Sequence, residues 1–413
     1  MIIGDALGSA VEGMSKGHIR SHFKTINDYI DPEKALKNKI DQWRKPGLYS
    51  SISQLALIMA LSIPRRGSCA DSFQRAVASS PGVAGSDYGI FRYAGAVERN
   101  FIARMLDPAA PRQASEQPCA RIIPIISALS FRSSGSIDHI LDVISAVRLF
   151  TIDLSTVAAA LVYSTLLRIL KAGGGPAADP ITSSIEAAHR ILDTIENDSA
   201  AVFARAVNPG SLTKELQSLM DILSETASAD TLQAAEDIIV SGVNRSLKTP
   251  VTRATINHPS ALLPYALALT FLTPAPPIPL GAAVSEGGST AALAAMTGAI
   301  GACLHDAAPE PDTLVTNLVN RKKILALVDS LNGATGAPHD LEQFMAQEAT
   351  LTAKELEELN ARLKHSHKKP KKAPLTQADK EKKLTSHAVE SWTKYDKARW
   401  RKERRRNDKN DNP

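Results

Sequence analysis

Three short stretches of this chain carry residue types that do chemistry. Gly4-Asp5-Ala6-Leu7-Gly8-Ser9-Ala10-Val11-Glu12 sets two carboxylates among small residues. Val284-Ser285-Glu286-Gly287-Gly288-Ser289-Thr290 runs through a glycine pair into a small-residue, helix-like segment, and a helix N-terminus behind glycines presents N–H groups that suit a phosphate. Near the C-terminus, Trp392 to Arg406 interleaves cations with aromatics: Trp392, Tyr395 and Trp400 lie beside Arg399, Arg401 and Arg404. Cations neutralise phosphates and release counterions, while aromatics stack on bases, so this stretch suits nucleic acid or an acidic protein surface. Each stretch also has a plainer reading. Small residues in the first serve a tight helix–helix contact, Glu286 is a solvated loop residue, and the basic stretch is a solvated tail or an arm docked on an acidic body.

The motifs sit in order along a longer pattern. Pro46-Gly47-Leu48-Tyr49-Ser50-Ser51-Ile52-Ser53 precedes Gln54-Leu55-Ala56-Leu57, and Gly287-Gly288-Ser289-Thr290-Ala291-Ala292 precedes an Ala-rich run ending at Ala302. With Arg121-Ile122-Ile123-Pro124, Asp153 to Ala158, Leu263 to Leu267 and Asn320 to Ile324 between and after them, this order resembles the ADP-ribosylglycohydrolase family over roughly residues 1–331. The resemblance implies an all-α orthogonal bundle. It also implies a cleft for ADP-ribose or a related nucleotide, with Glu12 as candidate catalytic residue and Gly287, Gly288, Thr290 and Arg121 as candidate ligand-binding residues.

The family pattern holds two divalent ions, Mg²⁺ or Mn²⁺, between Thr-Asp-Asp-Thr and Gly-Gly-Asp-Thr-Asp-Thr. Here Ser50, Ser51, Ile52 and Ser53 stand in the first motif, and Ser289, Ala291 and Ala292 stand at substituted positions of the second; Thr151 replaces a family histidine. Hard dications are bound mainly through carboxylate oxygens. Neutral serine hydroxyls replace carboxylates poorly, and Ile52 offers no oxygen. The expectation is a pseudoenzyme with no metal and no cofactor. Its cleft either binds a nucleotide weakly or is filled and inert. The alternatives are an active hydrolase with a rewired site, in which Asp5, Glu12 and Glu286 hold one ion or Glu12 does metal-free acid–base work, and a nucleic-acid-associated scaffold acting through its tail.

The elements that must position these residues are helical. Apolar residues recur at spacings of three and four, and Val157 to Leu167 is apolar almost all round, as a helix buried in a bundle must be. Few stretches alternate, so little or no sheet is expected. Residues 1–331 read as the helical domain, 332–375 as a linker with a short helix at 355–363, and 376–413 as a basic, partly helical tail, whose second helix, from about Gln377 to Arg406, has only a weak apolar stripe and is marginal on its own. His365 and His367 have no partners at metal spacing and belong to the linker.

Charge divides the chain the same way. Residues 361–413 hold 18 Lys and Arg against 7 Asp and Glu, so with a net charge of +5 overall the first 360 residues carry −6. The three cysteines, Cys69, Cys119 and Cys303, make no disulfide framework, which suits a reducing cytoplasm. The start shows no signal-peptide pattern, and no uninterrupted apolar run reaches membrane-spanning length, so no membrane partner is expected.

Overall fold

The computed structural model describes residues 1–367 except 37–38, 64–66, 108, 111–112, 132–134, 174–178, 198–202, 204–205, 248–249, 253–255, 274–277, 306–310 and 332–340. The basic stretch with Trp392, Tyr395, Arg399, Trp400, Arg401 and Arg404 lies outside the described residues. Among those described, every extended element is a helix. The β-type pairings are isolated bridges, Ser15 with Gly287 and Ser115 with Thr151.

Ten helices build the core and position the site: α1 (Ile2–Ser9), α2 (Ser51–Ser62), α3 (Ala96–Leu106), α4 (Leu154–Gly173), α5 (Pro180–Asn197), α6 (Pro209–Thr226), α7 (Pro259–Leu272), α8 (Thr290–His305), α9 (Arg321–Leu331) and α10 (Leu341–His367). The apolar α4 is the hub of the bundle. It packs against α5, α6, α7 and α8, and its residues from Val157 to Ser164 are buried without a break. By length and composition α4 would cross a membrane, but most of it is buried inside the protein. Its start is fixed by Asp153, whose Oδ1 accepts from the Thr156 N–H at 2.8 Å and the Ser155 hydroxyl at 2.6 Å, an N-cap arrangement.

The first helix lies along α8, and its glycines permit the approach. A Cβ added at Gly4 would stand 2.1 Å from the Ala294 carbonyl oxygen, and one at Gly8 would stand 2.4 Å from that of Thr290. Backbone meets backbone at both points, so no side-chain adjustment makes room. The small residues of the first motif thus serve a tight helix–helix contact.

The last helix differs from the expectation of a short helix over 355–363. α10 begins at Leu341 and runs to His367, and residues 1–360 form one compact unit. Phe344, Met345, Glu348, Thr352 and Glu355 are its buried positions. Three of these five are polar, so the stripe that docks the helix does not show as an apolar periodicity.

Candidate functional site

The site lies where α1 meets the N-termini of α2 and α8. The first four N–H groups of a helix have no partner within it and must find one elsewhere. In α2 all of them do. The N-cap Ser50 N donates to Asp5 Oδ2 at 2.9 Å, Ser51 N to the Arg92 carbonyl at 2.7 Å, Ile52 N to Ser50 Oγ at 3.1 Å, and Ser53 N to Asp5 Oδ2 at 3.1 Å.

Asp5 is fully buried and is the anion at this helix end. Beyond Ser53 N it accepts from Ser50 N at 2.9 Å, Ser50 Oγ at 2.7 Å, Ser53 Oγ at 2.7 Å and Ser9 Oγ at 3.1 Å. A carboxylate at a helix N-terminus is favoured by the helix dipole as well as by these donors. The hydroxyls of Ser50 and Ser53 therefore compensate the charge of Asp5, while that of Ser51 faces Glu98.

Glu12 does the same at α8. Its Oε2 accepts from Ala291 N at 2.7 Å and lies 3.2 Å from Thr290 Oγ1, while Oε1 receives Arg121 Nη1 at 2.7 Å. Arg121 also donates through Nε to Glu98 at 3.0 Å and through Nη2 to the Tyr93 carbonyl at 3.1 Å. Burial opposes the charge on Arg121, but Glu98 and Glu12 outweigh it and hold its pKa above the ordinary value. Ser51 Oγ lies 3.3 Å from Glu98, which is fully buried. Sequence reasoning missed Glu98. Its position three residues after Gly95, at the start of α3, is the one signal that marks it, and its carboxylate accepts from the Gly95 N–H as a helix cap does.

The glycine motif packs against the loop after α1. Gly287 and Gly288 adopt positive φ of 77° and 68°, and the pair meets the loop after α1. Gly288 N donates to the Met14 carbonyl at 2.8 Å, and a Cβ at Gly287 would stand 2.6 Å from Met14 O. The Thr290 hydroxyl is taken by the Gly8 carbonyl at 2.7 Å. Glu286 is not a solvated loop residue: its Oε2 accepts from Tyr265 OH and Lys16 Nζ, both at 2.7 Å, with the carboxylate side chain 13% exposed.

These donor sets do not fit a pair of dications. Ile52 is buried in the hydrophobic core, Ala291 and Ala292 have no side-chain donor, and Ser289 is half-buried with a neutral hydroxyl. Asp5 and Glu12 already face N–H, O–H and guanidinium donors, and Glu286 is held by Tyr265 and Lys16. Among the described residues no three His, Cys, Asp or Glu side chains converge as a metal site. The Thr151 hydroxyl donates to the Ser115 and Gln117 carbonyls.

A second polar cluster flanks the first. Arg92 and Glu348 are both buried and pair at 2.7 Å. Glu348 also accepts from Tyr49 OH at 2.5 Å and Gln54 Nε2 at 2.8 Å; Arg92 also donates to Thr352 Oγ1 at 3.0 Å and the Tyr49 carbonyl at 3.2 Å. Further along α10, Glu355 Oε1 accepts from Lys45 N at 3.0 Å. Arg44 lies over the Tyr93 ring, 4.0 Å from its centroid.

Burial pushes the Glu355 carboxyl up from its ordinary 4.5 to about 6, against the pull of Arg92, Lys45 and Arg44. The folded state thus holds its proton more tightly than the unfolded chain. This contribution to stability is full below pH 4.5 and is lost as pH rises through 6. The loss amounts to about 2 kcal/mol, from 1.36 kcal/mol per pH unit. Urea unfolding at pH 4.5 and pH 7 should show the wild type losing this much more than Glu355→Gln across that window.

An all-helical bundle in which a glycine-and-acid first helix closes the N-termini of two further helices defines the class of this protein. Its residues 1–340 match the sequence profile of the ADP-ribosylglycohydrolases. The chain belongs to the ADP-ribosylglycohydrolase family. A solved "ADP-ribosylglycohydrolase-related protein complex" shares the fold with a TM-score of 0.50 at 17% identity, covering 81% of this chain and 94% of that one. No curated protein sequence matches the chain.

Proposed function

We propose that this protein is a non-hydrolytic member of its family that acts by binding, with ADP-ribose or a related nucleotide as its weak cleft ligand. One observation carries the reading. The carboxylates of the first motif, Asp5 and Glu12, each cap a helix N-terminus and are ringed by hydroxyl, amide and guanidinium donors, while Ile52 and Ala291, at aspartate positions of the resemblance, offer no side-chain oxygen. Side chains with this chemistry do not hold a dication that would activate a water nucleophile. Glu12, locked to Arg121 and Ala291 N, is not set as a general base.

The same geometry supports a low nucleotide affinity. A phosphate approaching α8 meets the Glu12 carboxylate on the N–H of Ala291 and on Arg121. Removing that carboxylate frees a backbone donor and a guanidinium. Glu12→Ala should therefore tighten ADP-ribose binding by on the order of tenfold, about the worth of one charge-assisted hydrogen bond. Calorimetry checks this, alongside hydrolysis of ADP-ribosylated arginine and serine substrates with manganese. The expected result is no release of ADP-ribose by either protein. Release by the wild type that disappears in Glu12→Ala would establish the rewired hydrolase instead.

A further inference from the structure

The buried ion pair reaches further than the docking of one helix. α10 begins at Leu341, just past the last residue that the family profile matches. Arg92, the cation it neutralises, belongs to the turn Ile90-Phe91-Arg92-Tyr93, and this turn touches both helix ends of the site. The Arg92 carbonyl accepts from Ser51 N at the start of α2. The Tyr93 carbonyl accepts from Arg121, which holds Glu12 on the start of α8. Tyr93 adopts φ +55°, a left-handed conformation that residues other than glycine rarely take. Such strain persists only where the surroundings over-determine it. Here the surroundings are Lys45 N on Tyr93 OH at 3.3 Å, Gln54 on the Arg92 N–H at 2.9 Å, and Gln54 and Thr352 on the Ile90 carbonyl at 2.7 and 2.8 Å. Two of the groups that fix the turn, Glu348 and Thr352, come from α10.

We propose that α10 is an intramolecular clamp: docked, it holds the strained 90–93 turn and so keeps Arg121 on Glu12 and the N-terminus of α8 closed; lifted, it lets the turn relax and opens that helix end. A buried ion pair suits such a two-position element because its charges tolerate no half-engaged state. An uncompensated guanidinium in the core drives either full docking or full release. The clamp goes beyond the non-hydrolytic reading and stands whether or not the site hydrolyses anything.

Hydrogen exchange on the full chain tests it, comparing wild type with Glu348→Gln and with the double variant Arg92→Met/Glu348→Met. In Glu348→Gln, peptides from α10 should exchange roughly tenfold faster, and peptides holding Ser51 and Ala291 should quicken with them, while those from α4 and α6 stay at the wild-type rate. The double variant, which buries no charge at the pair, should return all of them toward wild type. Faster exchange in α10 with Ser51 and Ala291 unchanged would overturn the clamp and leave α10 as packing alone. Equal acceleration in α4 and α6 would overturn it too, because the effect would then be global. Should Glu348→Gln fail to fold, Thr352→Val removes only the contacts to Ile90 O and Arg92 and is read by the same peptides, with a smaller rise expected.

Discussion

Asp5→Ala is expected to destabilise the protein by about 2–6 kcal/mol, the cost of stranding two buried backbone donors. The main-chain N–H groups of Ser50 and Ser53 lose their acceptor in a fully buried position, and each such orphan costs about 1–3 kcal/mol. The serine hydroxyls can turn elsewhere, but the two amides cannot. Asp5→Asn retains one carbonyl acceptor and should fall between. Urea denaturation in buffer with a chelator measures the effect as a fall in midpoint at constant slope. The sign of the result discriminates between two accounts of the motif. A carboxylate cluster waiting for a cation repels itself in the absence of metal, so removing one member leaves stability unchanged or raises it. A carboxylate that caps a helix through serine and amide donors loses stability at once. The hydrogen bonds of Asp5 are those of the second arrangement.

The other large effect is expected at Glu348. Truncating it to alanine strands the Arg92 guanidinium, whose side chain is 1% exposed, and should cost about 3–5 kcal/mol. Removing both charges with Arg92→Met/Glu348→Met should recover most of that loss, since a buried pair replaced by apolar groups of similar volume is often neutral in stability. The cycle of Arg92→Met, Glu348→Met and their double, followed by urea unfolding, isolates the pair energy. Additive single effects would mean that Glu348 acts through Tyr49 and Gln54 rather than through Arg92.

Legibility in the sequence tracks the physics that each residue obeys. The helical bundle is legible because its core obeys apolar periodicity, as in α4, and because small residues such as Gly4 and Gly8, one helical turn apart, suit a close helix contact. That Ser51, Ile52, Ser289 and Ala291 carry no carboxylate is legible residue by residue. The consequence for Asp5 and Glu12 is not, since nothing in a linear string shows that these carboxylates will cap α2 and α8, whose N-termini lie far along the chain. The glycine pair suggests a phosphate cradle, but it is a crossing point between two loops, with Gly288 N held by Met14. The sequence places a short helix at residue 355 rather than a long one from Leu341, because Glu348 and Thr352 are polar residues in core positions. Burial of charge is set by a partner distant in sequence, Arg92, and no local pattern encodes that choice.

On the proposed reading, hydroxyl and amide donors have taken the place of dications. Isothermal calorimetry with manganese on the chelator-treated full-length protein tests this most directly. No binding heat is expected up to about 1 mM Mn²⁺, equivalent to less than roughly 4 kcal/mol of affinity. Saturable binding of two ions, with anomalous scattering locating them between Ser51 and Ser289, would contradict it.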